Sequence, residues 1–96
     1  NPLQTTNNCF DKFPQKAFSN ADPLAEYFNS SPKDCLINCF KISSCQSIVY
    51  HKYFSNCQLY SKIIGNGARE VSAKGHDLYI KNEDCNEFNL EKIEEK

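Results

Sequence analysis

The sequence predicts a small, disulfide-rich α+β domain. Three observations carry this. Six cysteines are spread through 96 residues. One segment has a helix-start signature and places two cysteines on one face. Directly after it come two short β-type segments that carry two more. A chain of this length forms one domain and buries only about 60–65% of its unfolded surface. With 40% hydrophobic residues and neither Trp nor Met, its core calls for covalent help, which three disulfides would supply.

The elements follow in chain order. The chain starts at Asn1-Pro2 without a signal peptide, which reads as a processed protein or an excised domain. Residues 1–8 are polar and read as a tail or linker. A strand is expected over residues 9–13, followed to residue 29 by loop and short turns broken at Pro14 and Pro23. The helix comes next. Ser31 is the candidate N-cap, Pro32 suits the first helical position, and Asp34 puts a negative charge in the first turn. Cys35 and Cys39 stand at i and i+4 and share a face, and Leu36 and Phe40 repeat that spacing as an apolar ridge beside them.

Cys45-Gln46-Ser47-Ile48-Val49-Tyr50 and Cys57-Gln58-Leu59-Tyr60 then read as two strands of a hairpin, with residues 51–56 as its loop. Alternation puts Cys45, Ser47 and Val49 on one face of the first strand, and Cys57 and Leu59 on one face of the second. A helix with two cysteines over a hairpin with two cysteines suggests two helix-to-hairpin bridges, leaving Cys9 and Cys85 to join the ends. Gly65-Asn66-Gly67 marks a turn. Asp77-Leu78-Tyr79-Ile80-Lys81 alternates and reads as the closing strand. Residues 86–96 are acidic and read as a short helix, tail or linker; there is no internal repeat.

Six cysteines allow 15 pairings. Structural zinc favours two close C-x2-4-C knuckles; Cys35 and Cys39 form one close pair, no second exists, and His51 and His76 flank none. C-x-x-C is absent as well, so no metal, cofactor or redox site is expected.

The pattern resembles the PAN/apple domain family. The matching residues are Cys9-Phe10, the helical Cys35-x3-Cys39, the run Cys45-Gln-Ser-Ile-Val-Tyr50, the run Cys57-Gln-Leu-Tyr60, and Tyr79 ahead of Cys85. The resemblance covers residues 9–85, about four-fifths of the chain. It implies the pairings Cys9–Cys85, Cys35–Cys57 and Cys39–Cys45, and an antiparallel sheet of about five strands cradling one α-helix. By loop entropy those bridges contribute about 4.5, 3.4 and 2.4 kcal/mol respectively, though nested loops do not add in full.

Function is narrowed mostly by exclusion. Eleven Lys+Arg against twelve Asp+Glu, net charge −1, argue against nonspecific nucleic-acid binding. No segment approaches the roughly 20 apolar residues of a membrane span. Oxidised cysteines cannot serve as nucleophiles. His51 in the hairpin loop and His76 beside Gly75 read as exposed turn residues, and no P-loop, G-x-G-x-x-G or EF-hand pattern is present. No catalytic residue is assigned and no enzyme activity is expected.

Recognition remains. The resemblance implies an extracellular module of a secreted, matrix or cell-surface protein, whose partners are proteins or glycans; the fold does not select between them. The candidate contacts are Lys52, Tyr53 and Phe54 at the hairpin tip, as interface anchors. The competing reading folds Phe54 onto the core and partly buries Tyr53. Arg69, Lys74 and His76 are candidates for a basic patch toward sulfated glycans, against a reading as scattered surface charge. Adhesion or protein–protein interaction is the leading function and glycan binding the alternative; a secreted inhibitor ranks last, since no braced inhibitory loop is evident. Asn29-Ser30-Ser31 is a glycosylation sequon at Asn29, and Asn7-Asn8-Cys9 is the rarer cysteine form.

Overall fold

A computed structural model of the chain describes residues 9–65 and 67–82. The helix forms where its start signature stands. Helix α1 spans Pro32–Lys41, with Ser31 as N-cap accepting a hydrogen bond from the Asp34 N–H at 3.1 Å. It stops at Ile42, whose extended backbone turns its N–H back to the Cys39 carbonyl. The Lys81 ammonium donates to the same carbonyl at 3.4 Å, a cation placed where the helix leaves acceptors unpaired.

Cys35, Leu36 and Cys39 are fully buried, but Phe40, expected to extend the ridge, is 40% exposed. At 3.6 residues per turn the three buried residues fill an arc of about 100°, and Phe40 falls about 40° beyond its edge.

The strands are β1 (Phe10–Ser19), β2 (Ala25–Tyr27), β3 (Ser47–His51), β4 (Asn56–Tyr60), β5 (Ile63–Ile64) and β6 (Gly67–Lys81). Five of them form an antiparallel sheet in the order β1-β6-β3-β4-β2. The two-residue β5 pairs parallel to β6 off that path. The expected five-stranded antiparallel sheet with one helix is therefore present. Two disulfides tie the helix down: Cys35–Cys57 to β4, and Cys39–Cys45 to the segment entering β3, with Cα separations of 5.6 and 5.3 Å. The expected Cys9–Cys85 bridge involves Cys85, which lies outside the described residues, as do the tails 1–8 and 86–96.

Both faces of the sheet are covered. On the helix side Phe10, Leu36, Ile48, Tyr50, Leu59 and Tyr79 pack around the cysteines. On the other, Val49, Tyr60 and Leu78 pack against Phe13, Ala17, Phe18 and Ile80. Central β3 is buried on both sides, which is why its apolar residues run on continuously. Cys45 joins the helix-side cluster, not the Val49 face assigned by alternation. Residues 45 and 46 precede the strand, and the pleat starts only at Ser47.

Two strands differ from expectation. β2 stands where a loop is expected; it pairs with Leu59–Cys57 through three residues, too few to show a period. β1 does not end at Pro14 but continues to Ser19 across a register shift, with Pro14 opposite Asp77 and Lys16 opposite Ser72. One residue of β1, Gln15, thus faces residues 73–76 of β6. Proline is tolerated because β1 is an edge strand and the ladder is interrupted there. The turn of backbone is taken by Gln15 and Gly75, at φ 59° and 83°. The Gln15 N–H donates to Asp77 Oδ1 at 3.2 Å and Gln15 Oε1 accepts from the Gly75 N–H at 2.9 Å. The strand expected over residues 77–81 is the last part of a β6 that begins at Gly67.

Candidate functional site

The bulge in β6 lies beside the β3–β4 turn, and the two make one structure. His51 is not in the loop as expected. It is the last residue of β3, opposite Asn56 on one side and His76 on the other. The turn proper is residues 52–55, closed by Ser55 at φ 54°. Three hydrogen bonds brace it. The Lys52 N–H donates to the Gly75 carbonyl at 2.8 Å, and the Ser30 N–H donates to the Ser55 carbonyl at 2.8 Å. The buried Tyr50 hydroxyl donates to the Ser30 carbonyl at 2.6 Å. The tip is thereby fastened both to the β6 bulge and to the loop entering α1.

Tyr53 and Phe54 are 68% and 74% exposed. Neither folds back onto the core, because the space beneath them is filled. The Tyr53 ring lies close against Gly75, where an added Cβ would stand 2.6 Å from Tyr53 Cε2. The His51 ring sits 4.8 Å from the Phe54 ring and 6.3 Å from the Tyr53 ring. His76 completes the group, its ring centroid 4.0 Å from that of His51 in an edge-on arrangement.

One carboxylate and two ammonium groups meet beside the turn. Asp77, only 4% exposed, receives the Lys52 and Lys12 ammonium groups at 3.6 and 3.9 Å besides the Gln15 N–H. Lys12 also stands 5.9 Å over the Tyr79 ring. His76 Nδ1 lies 3.1 Å from the Lys74 carbonyl. Burial, and then the neighbouring His76, lower the His51 pKa below its ordinary 6.5.

The structure thus brings together Lys52, Tyr53, Phe54, Lys74 and His76. Arg69 is not with them: it pairs with Ser19 at the other end of the β1–β6 ladder, in a hollow shared with Asn20 and Ala68. The sequence reading missed Asp77, Gln15, Gly75 and Lys12, which hold the tip. The available signal was an aspartate directly after Gly75-His76 and directly before the apolar Leu78-Tyr79-Ile80. Asn29 is exposed at φ 56°, in a hollow with Ser31, Pro32 and Ser55. The Ser31 hydroxyl of its sequon is engaged as the helix cap. Among the described residues no three His, Cys, Asp or Glu side chains converge as a metal site, and no helix is long and apolar enough to cross a membrane.

The fold is that of a small domain in which one helix is tied by two disulfides to an antiparallel sheet. The chain belongs to the PAN domain family, whose family model matches residues 9–85. No match was found among curated proteins. PAN domains are generally non-catalytic modules that bind proteins or glycans, and the domain and its disulfides are typical of extracellular proteins.

Proposed function

We propose that this PAN domain is a non-catalytic, extracellular recognition module that binds a partner protein through the β3–β4 tip. The observation that carries the reading is the pair of exposed aromatics, Tyr53 and Phe54, on a turn fastened at both ends. Large apolar rings on a fixed backbone are the groups that anchor protein interfaces. Bracing the turn before contact lowers the ordering cost of binding. Lys52 on the turn and the exposed Lys74 on the β6 bulge suit a partner with an apolar recess and an acidic rim, since complementary charge sets specificity and encounter rate. The setting is an adhesive, secreted, matrix or cell-surface protein, with residues 1–8 and 86–96 as linkers and Asn29 as an exposed glycosylation acceptor.

Glycan binding is the second reading, favoured by the open face of Tyr53 next to Lys52, Lys74 and His76. The two separate in one experiment. The domain and its Tyr53→Ala/Phe54→Ala variant are applied to an extracellular-matrix protein preparation and to an array of neutral and sulfated glycans, after unfolding curves show both folded. The protein reading expects matrix binding that falls at least about tenfold in the variant, with no reproducible glycan hit. A saccharide hit lost on Tyr53→Ala moves the function to glycan binding. Binding unchanged in the double variant refutes the tip as the contact surface.

A further inference from the structure

We infer that His51 and His76 form a pH-sensitive latch beneath the aromatic tip, closed when the two imidazoles are neutral and released when the pair is charged. The binding consequence rests on the reading of the tip given above; the latch itself does not.

The geometry has a closed state and a place for the open one. In the closed state the two rings meet edge to face at 4.0 Å, a favourable contact between neutral aromatic rings. One added proton is tolerated, because a charged ring edge is attracted to a neutral ring face. Two charged rings at this distance repel.

His51 Nδ1 is buried and has no hydrogen-bond partner. Asn56 Oδ1, on the residue directly opposite across the β3–β4 ladder, is buried and unpartnered too. Protonation from solvent turns Nδ1 into a donor, and Asn56 Oδ1 is the vacant acceptor on the same rung. Asn56 is oriented for this, since its Nδ2 donates to the Glu26 carboxylate at 2.8 Å. Leaving His76 to reach Asn56 takes the His51 ring away from Phe54 and Tyr53, which then lose their support.

Other charges nearby do not substitute for this pair. From β6 come His76, the Lys74 backbone carbonyl held near it, and Asp77, whose carboxylate is engaged by Lys12 of β1 and by Lys52 of the turn. Tyr53 is the turn's other titratable group. β4 presents no charge to His51, and Glu26 of β2 is engaged by Asn56 and Gln58. The charge that bears on His51 is His76, and with burial it disfavours the proton.

Isotope-labelled domain is titrated from pH 8 to pH 5 by NMR, following the His51 and His76 ring signals and those of Tyr53 and Phe54. Wild type is expected to show the tip rings shifting together with the His51 titration while Leu36 and Leu78 methyls stay still. His76→Gln shifts the His51 midpoint upward and abolishes the movement of the tip. Asn56→Ala shifts that midpoint downward, by removing the acceptor for the charged ring. Tip signals that ignore the His51 titration, or that move equally in His76→Gln, overturn the latch. Loss of matrix binding in the tip double variant without any pH response leaves the proposed surface standing and removes only the latch. A pH response in a domain whose tip variants bind normally does the reverse.

Discussion

Two neighbouring rungs of the β3 ladder are built to opposite standards. In one, Tyr50 stands between Cys57 and Asp77. Every polar or reactive group in it is committed: Cys57 to Cys35, the Tyr50 hydroxyl to Ser30, and the Asp77 carboxylate to two lysines and a backbone N–H. In the next, His51 stands between Asn56 and His76, and two buried polar atoms go unpaired. His51 and His76 meet there by ring contact, and the Asn56 amide nitrogen is turned to Glu26. One residue along a strand changes the face. Here it also passes from a rung whose polar groups are all paired to one with two buried polar atoms unpaired, beside the exposed rings.

The sharpest way to break the comparison is to cut the closed rung. Replacing Cys35 and Cys57 together by alanine is expected to cost about 3.4 kcal/mol by loop entropy. The midpoint of urea unfolding should fall, with the Cys39–Cys45 bridge intact by peptide mapping. If stability hardly changes, the helix face does not depend on the cross-link, and the contrast with the second rung loses its basis.

Gly75→Ala attacks the joint between the two rungs. A non-glycine residue at φ 83° costs roughly 1–2 kcal/mol, and the new Cβ would enter the Tyr53 ring. Stability should fall by that amount, read by urea unfolding, and Tyr53 ring signals should move. A variant with wild-type stability and an undisturbed Tyr53 would show that the bulge does not position the tip.

How far these rungs could be read from the sequence differs in the same way. The helix side of the first was legible, the Cys35–Cys57 pairing only through the family resemblance, and the role of Asp77 not at all. Helix spacing put Cys35 and Cys39 on one face, and the Ser31-Pro32-Asp34 signature located the cap that the structure shows. Such signals are local and periodic. The second rung was not legible, because His51 and His76 are 25 positions apart and their contact depends on the register of β3 against β6. That register follows from a shift of one residue against four, and a bulge of that kind leaves no period. The continuation of β1 past Pro14 is hidden for the same reason: proline's tolerance there depends on β1 being an edge, which is a property of the sheet. Tyr53 and Phe54 were legible as tip residues, but their exposure was decided by what fills the space beneath them.

Acid should distinguish the rungs with a smaller effect. The His51 pKa is lowered on folding, so the folded state binds fewer protons than the unfolded chain near this pH. Its contribution to stability is fully present above pH 6.5 and is lost as pH falls through the lowered value. Unfolding midpoints in urea should therefore drop between pH 7 and pH 5.5 in wild type, and drop less in His51→Gln. Equal slopes in the two proteins would mean that His51 is solvated like an ordinary surface histidine and that the second rung stores nothing.

The smallest effect on stability is expected where the effect on binding is largest. Phe54 is an aromatic residue, and truncating a buried one typically costs 3–5 kcal/mol. At 74% exposure, Phe54→Ala removes little burial, and surface substitutions usually stay within about 0.5 kcal/mol. Among the described residues it forfeits a ring contact with His51. Unfolding of Phe54→Ala should thus be nearly superimposable on wild type while matrix binding falls. A loss of 2 kcal/mol or more, at the scale expected of a core side chain, would place Phe54 with the first rung. The tip would then be part of the scaffold, and the exposed aromatics could no longer be read as a surface kept free for a partner.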